Sequence, residues 1–115
     1  MQDISLSFFI AVNSDKETII KILKAQEDIL LSLFGHNRII IGKNNVEIKR
    51  NEDYDKKLSL TDEDAFLYYE SNMYFYPYDD TLMLDEQIQL AKKICKVFVE
   101  SGISSEIVAE FEKWL

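Results

Sequence analysis

Basic residues are missing from the middle of this chain: between Leu58 and Ala91 there is no Lys or Arg. Proline occurs once, glycine three times, cysteine once and histidine once in 115 residues. Each scarcity excludes something. One cysteine rules out an internal disulfide framework and fits a reducing compartment. One histidine, His36, leaves no histidine pair for a metal, and it has no cysteine close by in sequence. Glycines only at positions 35, 42 and 102 cannot assemble a phosphate-cradling loop. No apolar run approaches the ~20 residues that span a bilayer. The start, Met1 to Phe9, lacks the basic and apolar regions of a secretory signal, so a cytoplasmic location is expected.

What fills the base-free stretch is acid and tyrosine. Asp62, Glu63, Asp64, Glu70, Asp79, Asp80, Asp85 and Glu86 lie there and equal the whole net charge of −8. The segments on either side balance their charges. Five of the six tyrosines, Tyr68, Tyr69, Tyr74, Tyr76 and Tyr78, share the stretch. So acidic a chain argues against direct nucleic-acid binding, which concentrates basic side chains to displace counterions. The same charge argues against docking on anionic lipid. It suits steering towards a basic protein.

The length is that of one domain, residues 1–115, and 47% hydrophobic with 30% charged residues reads as an ordinary folded one. Ile4, Leu6, Phe8, Ile10 and Val12 alternate as a strand. A helix follows, capped by Ser14 with Glu17, with Ile19, Ile22, Leu23, Leu30, Leu33 and Phe34 on one face and Gly35 closing it. Gln26 falls within that apolar arc and would need amide partners.

Arg38–Gly42 and Val46–Arg50 read as a hairpin around Lys43, Asn44 and Asn45. Asn51–Asp64 reads as a long polar loop. A second hairpin is expected from Ala65–Glu70 and Met73–Tyr78, with Pro77 placing the latter at a sheet edge or at a strand end. A strongly apolar helix runs from Asp85 to Ser101, closed by Gly102. The residues Ile107, Val108, Phe111, Trp114 and Leu115 recur at helical spacing behind Ser104, while Ile107, Ala109 and Phe111 equally alternate as a strand. The fold class expected is α+β: a two-layer sandwich, an antiparallel sheet of about five strands with two to three helices on one face.

Motifs for chemistry are absent. Asp53 and Asp55 begin like a calcium loop, but Leu58 stands where glycine is needed and Asp64 where glutamate is needed. Asp62-Glu63-Asp64 and Asp79-Asp80 are conceivable hard-cation ligands, and a metal-dependent hydrolase using the loop carboxylates, Asp62 or Asp64, is a third and trailing reading. Cys95 lies on an apolar arc, as a core residue does. No catalytic residue, metal site or cofactor is assigned.

The candidate site is a partner-binding surface of Asp62, Glu63, Asp64, Glu70, Tyr74, Tyr76, Tyr78, Asp79 and Asp80. Along a strand Tyr74, Tyr76 and Tyr78 share one face and Met73, Phe75 and Pro77 the other. Tyrosine offers large contact area with few rotors to freeze. The function expected is a small acidic binding or inhibitor protein that masks a basic partner such as a nuclease, its carboxylates standing in for phosphates. In size and acidity the chain resembles immunity proteins against nuclease toxins, antitoxins and phage anti-defence proteins, a resemblance of general character carried by no motif. The alternative is a structural or regulatory homodimer paired edge to edge along Met73–Tyr78.

Overall fold

The computed structural model describes residues 5–29, 31–35 and 38–115. Six antiparallel strands form one sheet: β1 (Phe8–Val12), β2 (Leu31–Phe34), β3 (Arg38–Ile41), β4 (Asn44–Arg50), β5 (Ser71–Pro77) and β6 (Ser105–Ala109), in the order β2-β3-β4-β5-β1-β6. Two helices, α1 (Lys16–Lys24) and α3 (Leu84–Glu100), pack on each other and on one face of the sheet. A single turn of helix, α2 (Leu58–Thr61), belongs to an insertion between β4 and β5. The α+β sandwich is as expected, with six strands where about five were counted.

Period-two alternation sets the sheet's inner face. Phe8, Ile10 and Val12 of β1, Met73 and Phe75 of β5, Val46 and Ile48 of β4, and Ile39 and Ile41 of β3 are all buried there. Phe8 stacks on Phe75 at 4.3 Å and meets Phe111 edge-on at 5.4 Å. Helix α3 covers them with Ile88, Ala91, Ile94, Val97 and Phe98, and α1 with Ile19 and Leu23. Gly102 (φ 74°) ends α3 as its position predicts.

Local pattern and final structure part at several places. Helix α1 stops at Lys24, capped by Asp15 rather than Ser14; the Asp15 carboxylate accepts from the Thr18 backbone N–H at 3.1 Å. The helix predicted to run on to Gly35 is instead a turn followed by β2, whose Leu31 and Leu33 pair with Ile41 and Ile39. An apolar spacing that suits a helix also suits a strand over a few residues, and the β3 edge decides the matter. Gln26 therefore sits half-exposed after the helix, not within an apolar arc. Leu30, with Ile4 and His36, lies outside the described residues.

Ala65–Tyr68, expected as a strand, is a 3₁₀ turn, so no second hairpin forms. Its place beside β5 is taken by β1 and β4. The insertion Asn51–Glu70 is an ordered unit rather than a structureless loop. Asn51 closes its base, donating from its side chain to the Leu67 and Tyr69 carbonyls at 2.9 and 2.8 Å and from its N–H to the Glu70 carbonyl. The C-terminal alternatives resolve to a strand: β6 pairs with β1 along its whole length, and a 3₁₀ turn (Glu112–Trp114) follows.

The β3–β4 hairpin turns one step earlier than predicted, on Gly42-Lys43, with Ile41 paired to Asn44. Gly42 takes φ 60°, the left-handed value required at the first position of a two-residue hairpin loop.

Candidate functional site

The outward row of each strand follows from the inward one. On β5 the inward Met73 and Phe75 leave Tyr74 and Tyr76 facing out, which answers which tyrosine row is exposed. Register places Phe9 of β1 beside Tyr74, Val108 of β6 beside Phe9, and Glu47 of β4 on Tyr74's other side. The Phe9 and Tyr74 rings lie 5.4 Å apart and the Tyr74 and Tyr76 rings 6.4 Å apart, nearly parallel at 13°. Tyr76 is 45% exposed. Among the described residues no helix packs on this strip. The insertion sets its 3₁₀ turn against β1, and Asn13 donates to Ser59 at 3.4 Å. Ala11, on the outward row at that end, is buried. The outward face is thus closed towards Val12 and open towards Phe8.

Two hollows meet at Tyr76. One, of about 450 Å³, is walled by Phe9, Tyr74, Tyr76 and Val108, and its ionised groups are Glu110 and Glu112. The other, of about 700 Å³, holds Phe34 beside Lys16, Arg38 and Lys49, with Glu47 as its one carboxylate. Lys49 bonds Glu47 at 3.0 Å and lies 5.9 Å over the Tyr74 ring. The Glu47 carboxylate holds the Lys49 ammonium above its ordinary range. Tyr74 therefore already has a cation on its face, and the strip is acidic on its β6 side and basic on its β3 side.

The acids singled out from sequence do not form one cluster. Glu70 precedes β5 and Asp79 follows it, so they lie off opposite ends of a strand about 20 Å long at strand rise. Asp62, Glu63 and Asp64 are exposed on the insertion, at the Glu70 end, and the Asp62 carboxylate is occupied by the Asp64 N–H at 2.8 Å. Asp79 accepts from both the Thr81 hydroxyl (2.6 Å) and its N–H (2.8 Å), and those bonds hold its carboxyl below the usual range. Asp80 is exposed beside it. Tyr78 is half-exposed beyond the strand end, its N–H bonded to the Lys43 carbonyl at 3.1 Å. Tyr74 and Tyr76 are thus the part of the candidate set that falls on the open strip. Sequence reading missed Phe9, Val108, Glu110 and Glu112, which reach it through β1 and β6. The signal for Phe9 was the apolar residue on the polar row of β1.

Pro77 ends β5, and β5 lies inside the sheet between β4 and β1. Edge-to-edge pairing of two copies along Met73–Tyr78 is therefore ruled out, because Met73–Phe75 is already paired on both sides, with β1 and with β4.

Other recesses carry less. One of about 390 Å³ beside the start of α3 contains two ion pairs, Lys43–Glu86 at 3.3 Å and Lys93–Asp28 at 3.8 Å, so its charges are matched internally. Gln87 lines it too and, fully buried like Asn44 behind it, exchanges hydrogen bonds with Asn44 at 3.1 and 2.7 Å. The remaining amide hydrogens go to the Ile41 and Leu6 carbonyls. Burial pushes the Cys95 thiol up, away from a reactive thiolate. Among the described residues no group of three or more His, Cys, Asp or Glu side chains converges to hold a metal ion, and no helix is long and apolar enough to cross a membrane.

No protein-family model matches the chain, and no curated protein or solved structure matches it either.

Proposed function

We propose that this protein is a non-enzymatic binding module of inhibitor type, which masks the working surface of a basic partner with the open face of its sheet. The observation that supports this is the strip of Phe9, Tyr74 and Tyr76, which no described helix covers and whose adjoining groove carries Glu110 and Glu112 as its acidic residues. Aromatic rings beside carboxylates suit a Lys or Arg side chain: the rings attract the cation through their faces, and the carboxylates complete its neutralisation. A partner that concentrates positive charge to hold phosphates, as a nuclease does, presents such side chains. Net charge of −8 speeds the encounter, and burial of the aromatic strip slows release. A single half-buried cysteine fits work in a reducing compartment such as the cytoplasm.

The test is capture from the native lysate at low and at half-molar salt, with wild type beside Tyr76→Ser and Glu112→Lys. A stoichiometric basic protein held by wild type, weakened by salt and lost by both variants is the expected result. Equal capture by wild type and both variants rejects the strip as the contact.

A further inference from the structure

The strip's charge is arranged across the strands, not along them. On the β6 side stand Glu110 and Glu112; on the β3 side stand Arg38, Lys49 and Lys16, with Glu47 alone opposing them. Tyr76 lines both hollows and marks the divide. A face of this kind is its own complement. Lay a second copy on it about a two-fold axis parallel to β5: the acidic side of each copy then falls on the basic side of the other, and tyrosine strip meets tyrosine strip. An axis at right angles, in the same plane, would set acid on acid. A two-fold contact needs one self-complementary patch, and this face has one.

We propose that a second copy of this chain covers the outward face, in a face-to-face pair whose axis runs along β5 through the Tyr74–Tyr76 strip. This uses the strip assigned above to a basic partner but rests on its charge arrangement alone. Where both hold, the pair hides the strip, and a partner must displace one copy to reach it. The paired edge is not needed: on the open part of the face, towards Phe8 and away from the insertion, side chains of two sheets can interdigitate at a sheet spacing of about 10 Å.

Salt is a poor readout, since it weakens the cross-pairs and also screens the repulsion between two chains of charge −8. A charge swap is better. Sedimentation equilibrium should show wild type associating to a dimer. Glu110→Lys/Glu112→Lys turns both halves of the face basic, and Arg38→Glu/Lys49→Glu turns both acidic. Each variant alone should associate at least ten-fold more weakly than wild type, and a mixture of the two should form a one-to-one pair. Because Glu110 also accepts a hydrogen bond from the Ser5 N–H (2.6 Å), Glu112→Lys alone serves as a second variant, with thermal unfolding confirming its fold. A monomeric wild type at millimolar concentration overturns the pair. So does a dimer indifferent to both reversals, or a mixture that stays unpaired. A monomer that still captures a basic protein through Tyr76 rejects the pair and leaves the partner contact standing.

Discussion

The buried amide pair of Asn44 and Gln87 gives the sharpest test of what holds the helix layer to the sheet. Gln87, on the first turn of α3, reaches the β3–β4 hairpin through Asn44 and the chain before β1 through the Leu6 carbonyl at 2.8 Å. All four amide hydrogens have acceptors and both amide oxygens have donors. Gln87→Leu keeps the volume and removes the partner. It strands the buried Asn44 oxygen, one buried Asn44 N–H and the part-buried Leu6 carbonyl. Each stranded group costs about 1–3 kcal/mol, and the costs overlap, so a loss of about 3 kcal/mol is expected. That is a large share of the ~5–15 kcal/mol typical of a domain. Asn44→Leu should cost a similar amount for the same reason. The double variant removes both amides and leaves only two carbonyls short of a donor, so it should cost little more than either single change, giving a coupling of about 2–3 kcal/mol. Urea unfolding of the four proteins measures this: each single change should lower the midpoint by roughly 2 M at unchanged slope. Single losses below about 1 kcal/mol, or losses that simply add in the double variant, would refute the account of a closed, mutually dependent pair.

Three further outcomes follow from the same geometry. Phe75→Ala should destabilise by about 3–5 kcal/mol because it opens a cavity against Phe8, whereas Tyr76→Ser, one residue on, should cost under about 1 kcal/mol while abolishing association; thermal unfolding and sedimentation separate the two. Gly42→Ala should cost about 1 kcal/mol or more in urea unfolding, since a Cβ at φ 60° is strained and would stand 3.4 Å from Leu90 Cδ2. The Asp15 carboxyl is held below its ordinary value of 3.8 by the Thr18 hydroxyl and N–H, so its contribution is present above that pH and fades as pH falls through the lowered value. Unfolding midpoints of Asp15→Ala should accordingly fall less steeply than wild type on acidification below pH 3.8, and identical acid limbs would count against the cap.

Strand β1, the β3–β4 hairpin and α3 were legible in the sequence because each carries its signal within a few residues: strict alternation, two β-rich runs on either side of a short polar segment, and an apolar arc closed by Gly102. Those signals are local free energies, of side-chain periodicity and backbone freedom, and they need no distant partner to act. The α+β class follows from their order. Elements without a decisive local signal waited on pairing. Leu31–Phe34 became a strand because β3 offered an open edge to Leu31 and Leu33, and Ser105–Ala109 did so because β1 offered another. Tertiary structure alone could show that Tyr74 and Tyr76 face out. The row that points inward is the one the helices cover, and β5 carries aromatic side chains on both rows. It alone could join Phe9 from β1, Glu110 from the end of β6 and Arg38 from β3 on one face, residues that are distant in the chain. Composition revealed an excess of acid and tyrosine. Sheet order separated the acids to opposite ends of β5 and left a tyrosine strip between a basic and an acidic hollow, since position across a sheet is set by long-range hydrogen bonding that no short stretch of sequence encodes.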